Sequence, residues 1–490
     1  MTQNRCRITL LAVCGLGIFQ LAWILSLIPY YGIDEFDHGL RASAVAEGHF
    51  SNEGELPSGH GRGDLVYVRK DVAAAAGPAC AMRSYTSKFN CVPLRHLDDG
   101  EVEILSAAAR YNPTYYAVAA TVAKPAHGNA NMYVMRAVTA VWCLVFFGLA
   151  VWLLLGFTRR AWPLIALFVA VLPTTVYAST VVAPNGVELF AGIALWLALL
   201  ARVHARESDA PRESFVSCLT IALSAGAMVN THTLGLLCLG LVLVAFAAWT
   251  GIGKAVHALV PRGRREIIVM VLLAVAILFE LVWVLLSKVN NPSLEGFDIN
   301  GSPWPSVANG IILWPLQTIA AFPMRDETAP LLTYAIELTA IITLVVVALR
   351  LTRVRSRRGA VILGIAAVSF LVPAVLTLMT YHQIGNAWQG RYLLPFSVGL
   401  ILLPGLVTDQ IDLPQRVTRV GTVTAIACIG LAQLLGMAGL VRRQSGLSEL
   451  IAATGWHKPS VLLLTALSVV ASAAWLRAAR LSAQPSRSQP

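Results

Sequence analysis

Eight residues that follow the first apolar run, Asp34-Glu35-Phe36-Asp37-His38-Gly39-Leu40-Arg41, hold five ionisable side chains at the membrane boundary. In a helix Asp34, Asp37 or His38, and Arg41 fall at i, i+3 or i+4, and i+7, which predicts one shared face. A carboxylate so placed is suited to take a proton from an attacking hydroxyl, and two carboxylates to hold a divalent cation. The competing expectation is structural: Asp34 caps a helix beside the membrane, Asp37 favours its dipole and Arg41 is solvated.

Further polar groups are expected on the same side. Arg136 opens an apolar run, Glu188 follows Pro184-Asn185-Gly186, Glu280 and Lys288 flank the outer end of another run, and Glu337 lies inside a later one. Acids inside membrane helices are costly unless they are paired or face water, so these three are candidates either for function or for a structural pair such as Glu188 with Arg136. Farther on, His382, Trp388 and Arg391 reach interface depth. Arg391 is suited to grip a phosphate through charge-assisted bonds or, alternatively, to anchor the chain at the headgroups.

The elements that position these groups follow from composition. The 490 residues are 57% hydrophobic and 13% charged, against about 25% charged in ordinary soluble chains, and the mean hydropathy is +0.67. Apolar runs of about 20 residues, each able to cross a bilayer as a helix, recur along the chain. They predict an all-α polytopic membrane protein of about twelve spans, near 8–30, 132–156, 162–180, 187–204, 214–230, 233–250, 266–286, 330–349, 360–380, 392–408, 420–441 and 459–476. The run 8–30 is read as a retained first transmembrane helix and not a cleaved signal, because it is long and no small-x-small site follows.

The organisation expected is a first helix (1–30), a large extracytoplasmic loop or cap (31–131), a transmembrane core (132–286), an outer or re-entrant segment (287–329), C-terminal spans (330–476) and a cytoplasmic tail (477–490). Basic residues predict cytoplasmic termini, since nearly every inner connection carries Lys or Arg, whereas Arg442 and Arg443 lie on the outer side against the rule. The formal net charge of +11 is accounted for by these inner loops facing anionic lipid. Nothing points to nucleic acid, and Gly251-Ile252-Gly253-Lys254 lacks the upstream Gly and the following Ser or Thr of a phosphate loop.

Six of the eight cysteines lie in or beside spans. Cys80 and Cys91 share the outer loop, where a disulfide and two free thiols are both compatible with the spacing. No Cys/His spacing matches a zinc site, and no cofactor is required, although a divalent cation such as Mg or Mn fits the acidic cluster.

The segments Ile33-Asp34-Glu35-Phe36-Asp37-His38-Gly39-Leu40-Arg41-Ala42, Tyr111-Asn112-Pro113-Thr114-Tyr115-Tyr116, Pro184-Asn185-Gly186 and Gly390-Arg391-Tyr392-Leu393-Leu394-Pro395 together resemble the bacterial membrane family called domain of unknown function 2142. The chain departs from that family at Phe36 and Thr114, where prolines are usual. The family in turn resembles the glycosyltransferase-C superfamily, which implies a glycosyltransferase-C-like fold and a sugar carried on a polyprenyl phosphate in the bacterial plasma membrane. The resemblance implies Asp34 as the base, with Glu35 as its substitute, and Arg391 with Arg136 or Lys288 on the leaving phosphate. Asp37, His38, Arg41, Asn112, Tyr115, Tyr116, Glu188, His382 and Trp388 are expected around the donor or a glycan or lipid acceptor, with Tyr115, Tyr116, Trp304 and Trp388 suited to stack on sugar rings. The alternative reading is a multi-span transporter or flippase, and a noncatalytic envelope scaffold stands third.

Overall fold

The apolar runs become helices whose lengths match the bilayer. The computed structural model describes residues 2–50, 56, 58, 60, 63–83, 86, 88–97, 99–289, 299–325, 327–386 and 388–483; Arg487 of the basic tail and residues 290–298 of the second outer segment lie outside them. Among the described residues ten helices are long and apolar enough to cross a membrane: Gln3–Ser26, Gly128–Phe157, Asn185–Glu207, Pro211–Thr231, Arg264–Ser287, Leu331–Thr352, Arg357–Ile384, Gly390–Gln410, Gln415–Gln444 and Val461–Ser482. The two other expected crossings are irregular. One is the 16-residue helix Gly235–Thr250, and the other is broken into Trp162–Ala170 and Pro173–Ala178.

The break has a local cause. Pro173 lacks an N–H and pushes Leu172 to an extended conformation (φ −59°, ψ 159°), as residues before proline prefer. The carbonyl of Val171 then takes a hydrogen bond from Gln433 Nε2 at 3.0 Å, and Gln433 Oε1 accepts from Trp23 Nε1 at 2.9 Å. A buried glutamine thus satisfies the freed backbone group that lipid would leave bare.

Burial separates centre from rim. The most apolar stretch of Asn185–Glu207 is 94% buried, whereas those of Arg264–Ser287, Leu331–Thr352 and Arg357–Ile384 are 17–22% buried and face outward. The first and last spans lie antiparallel, fixed by Trp475 Nε1 on Ala12 O at 2.9 Å and Trp456 Nε1 on Leu25 O at 3.1 Å. On the face that carries the basic loops, Arg202 and Arg206 hold Glu266 and Arg160 holds Asp412. Arg443, the exception to the charge pattern, is engaged on the opposite face by Glu327 Oε2 at 3.3 Å and by the carbonyls of Phe322 and Thr328.

The segment 287–329 contains a helix, Trp304–Ala320, longer than the apolar stretch 311–323 suggests. Ile299 before it meets His382, and Arg325 after it meets Asn386, so both flanks touch the same end of Arg357–Ile384. The segment therefore begins and ends on one side, with Trp304, Ile311 and Ile312 exposed along it.

The loop 31–131 forms a cap that adds a small sheet to the otherwise helical fold. Its strands β1 (Asp64–Arg69), β2 (Arg95–His96) and β3 (Glu101–Ser106) pair antiparallel in the order β1-β3-β2. Helices Glu35–Ala46, Lys70–Ala81, Lys88–Cys91 and Pro113–Ala123 surround it. Cys80 and Cys91 form a disulfide across 5.3 Å between their Cα atoms.

Asp71 clamps the cap to the start of the second span. Its carboxylate accepts from Arg69 Nη2 at 2.7 Å, the Gly128 N–H at 2.8 Å and His127 Nδ1 at 3.2 Å. Burial acts to raise the Asp71 pKa, but the Arg69 and Gly128 hydrogen bonds, the Arg69 charge and His127 together outweigh it and hold the pKa below the usual value. A depressed carboxyl contributes stability that is fully present above its unfolded pKa of about 4 and is lost as pH falls through the folded value. Proteolysis of the cap is expected to be constant from pH 8 to about pH 5 and to rise below about pH 4. In Asp71→Asn that acid-induced rise should shrink; a rise unchanged by the substitution would remove Asp71 as its source.

Candidate functional site

The site is built on the turn that leaves the first span. Glu35, fully buried, accepts from Arg136 Nε at 2.8 Å and Arg136 Nη2 at 2.6 Å, and also from the N–H groups of Gly32 and Val182, each at 3.0 Å. Arg136 donates in addition to the carbonyls of Leu27 and Ile28 at 2.8 Å each, beyond the last turn of the first helix, where Ile28 O also accepts from the Tyr31 N–H at 3.2 Å. Ile33 N–H donates to Tyr177 Oη at 2.9 Å, and Tyr177 donates to Pro323 O at 3.2 Å. Arg83 lies 4.0 Å above the Tyr31 ring and donates to the Tyr31 carbonyl.

These contacts leave Asp34 distinct. From residue 31 to residue 40 it is the one residue that is not buried. It occupies the left-handed region at φ 54°, ψ 10°, a conformation that Asp tolerates better than most residues. It stands at the N-cap of Glu35–Ala46, yet its side chain makes no cap bond. Oδ2 instead lies 3.4 Å from Arg391 Nη2.

Arg391 is presented by a short 3-10 turn, Gly390–Leu393. Gly390 N–H donates to Gln317 Oε1 at 2.9 Å and Gly390 O accepts from Thr318 Oγ1 at 3.1 Å. The guanidinium is nearly buried, packs 5.4 Å from the Tyr392 ring centroid and keeps a buried Nε without a hydrogen bond. Among the described residues, the neighbouring Trp388 Nε1 and Gln389 Oε1 are also buried without hydrogen-bond partners. On the far side of Tyr392, His232 approaches to 5.3 Å between ring centroids, and His232 Nδ1 stands 3.6 Å from Glu188 Oε2.

Several expected site residues are engaged elsewhere, because the helix Glu35–Ala46 is buried on every face from Glu35 to Val45. Asp37 accepts from the Ala107 N–H at 2.6 Å, His38 Nδ1 lies 2.7 Å from Tyr116 Oη, and Arg41 donates to the carbonyls of Tyr111 and Phe50. The expected common face with Asp34 is therefore divided among packing partners. Burial pulls the Arg41 pKa down to about 10 against an opposing effect of Tyr116, and burial also pushes the Tyr116 hydroxyl well above its usual range, so Tyr116 stays protonated.

Tyr115 and Tyr116 are buried, Tyr115 against Thr139 Oγ1 at 2.8 Å, and their rings have no face to offer a sugar. Asn112 caps Pro113–Ala123 through the Thr114 N–H and donates to Glu280 Oε2 at 2.5 Å. Arg136 pairs with Glu35 in place of Glu188, which removes Arg136 from a phosphate and Glu35 from the role of substitute base. Lys288 is exposed at φ 51°, and His382 is exposed. Trp304 is 64% exposed. Among the described residues no three His, Cys, Asp or Glu side chains are grouped to hold a metal ion.

His232, Arg83, Tyr177 and Gln317 shape the site without having been singled out by sequence. His232 carried a usable signal, a histidine in the short polar connection Asn230-Thr231-His232-Thr233. Gln317 stood within an apolar stretch, and Arg83 and Tyr177 meet the turn only through the tertiary fold.

The Glu35–Arg136 pair allows a direct check. Breaking a buried ion pair by removing one partner costs about 3–5 kcal/mol, so Glu35→Gln and Arg136→Met should each lower the unfolding temperature in detergent markedly. The double variant should recover part of the loss. Equal stability of either single variant and the wild type would refute the bracing role.

Among solved structures, the chain is similar to ArnT from Cupriavidus metallidurans in the apo state, at 14% identity and TM-score 0.40 over 96% of this chain and 77% of that one. It is similar at the same identity and TM-score to ArnT from Cupriavidus metallidurans bound to undecaprenyl phosphate, over 96% and 76%. No curated protein matches the chain. Residues 16–400 match the family model described as predicted membrane protein (DUF2142), and the chain belongs to that family.

Proposed function

We propose that this protein is a membrane glycosyltransferase that moves a sugar from a polyprenyl-phosphate donor to a glycan, lipid or protein acceptor at the outer face of the bacterial plasma membrane, its termini cytoplasmic. The observation that carries this reading is Asp34, the half-exposed carboxylate of a buried turn, facing Arg391 at 3.4 Å. Asp34 takes the proton of an acceptor hydroxyl as that oxygen bonds to the anomeric carbon. The bond from the anomeric carbon to the phosphate oxygen breaks, and polyprenyl phosphate departs with the electron pair. Arg391 balances the charge that accumulates on the phosphate. Trp388 Nε1, a donor, and Gln389 Oε1, an acceptor, have no hydrogen-bond partner among the described residues, and sugar hydroxyls supply partners of both kinds.

A second reading is favoured by Glu337. It is 1% exposed within Leu331–Thr352, and both its carboxylate oxygens lack a hydrogen bond among the described residues. Such an acid suits a transporter of a lipid-linked or small solute. That reading requires a solute flux abolished by Glu337→Gln and spared by Asp34→Asn.

The test uses purified protein in nanodiscs, a panel of polyprenyl-phosphate sugars, a transfer assay and native mass spectrometry. Asp34→Asn should lower transfer about 10²- to 10⁴-fold while the carrier stays bound, and Arg391→Ala should weaken carrier retention. Undiminished transfer by Asp34→Asn would remove it from the base role. A folded wild type that retains no carrier would overturn the glycosyltransferase reading.

A further inference from the structure

A second constellation lies on the face that carries the basic loops, at the opposite end of the first span from Asp34. It is a cleft lined by Arg5, Trp152, Leu153, Arg212, Glu213 and Val216. Arg5 is fixed there in three ways. Its Nε donates to Trp152 O at 2.7 Å, its guanidinium lies 4.2 Å from the Trp152 ring centroid, and Gly156 leaves the space it fills. A Cβ on residue 156 would stand 2.8 Å from Arg5 Nη2.

These restraints use Nε and one face of the guanidinium. Nη1 and Nη2 have no protein hydrogen bond among the described residues, and the exposed Arg212 beside them has no ion pair. Two guanidiniums against the single carboxylate of Glu213 give the cleft a net charge of +1. Holding like charges together at a membrane boundary is unfavourable unless an anion lies between them, and the two-nitrogen edge of arginine matches phosphate oxygens.

The surroundings indicate what carries the anion. Val145 lies two turns from Trp152 on the same face of Gly128–Phe157, and Val216, Leu219 and Leu223 follow Arg212 at helical spacing along Pro211–Thr231. Val145, Leu219 and Leu223 are exposed. Each helix thus continues from the charged cleft into an apolar strip directed into the bilayer, as a headgroup with attached acyl chains requires.

We infer that Arg5 and Arg212 form a binding site for the phosphate of an anionic phospholipid in the leaflet that faces the basic loops. The site is separate from the Asp34–Arg391 site and does not depend on the activity proposed for it.

Native mass spectrometry of the full chain in detergent, titrated with phosphatidylglycerol or phosphatidylcholine, tests the inference. Wild type should retain phosphatidylglycerol preferentially. Arg212→Gln, an exposed position, and Arg5→Gln should each weaken that retention about fivefold, with Arg419→Gln, an exposed basic residue of the same face, close to wild type. Gly156→Leu, which keeps every charge but occupies the place of Arg5, should reproduce the Arg5→Gln loss. An equal loss in Arg419→Gln would reduce the effect to surface charge and overturn the site. Complete displacement of the lipid by millimolar inorganic phosphate would overturn the lipid assignment.

Discussion

The turn that leaves the first span depends on one buried ion pair. Arg136 reaches from the second span to Glu35 while donating to the carbonyls of Leu27 and Ile28, and Glu35 gathers the N–H groups of Gly32 and Val182. An unpaired ion at such a position carries a desolvation penalty of several kcal/mol, and here each partner is saturated by the other and by backbone. The first span, the second span and the connection after Pro173–Ala178 are therefore tied at one point. The cost of removing Glu35 or Arg136 from water is offset only when all three meet, which makes the pair a device for specificity of assembly as much as for stability.

That arrangement divides the polar residues into two populations. Glu35, Asp37, His38, Arg41 and Asn112 spend their hydrogen-bonding capacity inside the protein, so that cap and membrane domain share one interior. Asp34 projects from the rigid assembly that its neighbours create, and Arg391 meets it from the far end of the sequence, 357 residues away. A turn immobilised on both sides holds this carboxylate in one position while leaving it partly accessible.

Sequence patterning located the ten helices that are long and apolar enough to cross a membrane to within about five residues, because hydropathy over about 20 residues is a constraint of the bilayer itself. The broken third crossing and the short helix Gly235–Thr250 sit where the apolar runs placed them, but the break needed knowledge that Gln433 would supply the missing donor. The cap sheet was not legible, since its strands are short and the alternation in Asp64–Arg69 is interrupted by adjacent buried residues. At the site, residue types were a better guide to location than to role. Asp34 and Arg391 stand together, whereas Glu35, Tyr115 and Tyr116 are buried, and a cluster of acids in sequence does not disclose which one the fold leaves open. His232 and Arg83 approach the turn through contacts between distant segments, for which local spacing holds no signal.

Gly390 offers a different lesson. The backbone of Trp304–Ala320 lies directly against it, and a Cβ at this position would collide with the Trp314 carbonyl. The clearance that brings the helix Trp304–Ala320 against the Arg391 turn is thus set by a missing side chain. A glycine retained at the equivalent place in related chains would record close backbone approach and say nothing about reactivity. A larger residue there would mark a relative in which the helix corresponding to Trp304–Ala320 has moved and the turn that presents the arginine has shifted with it.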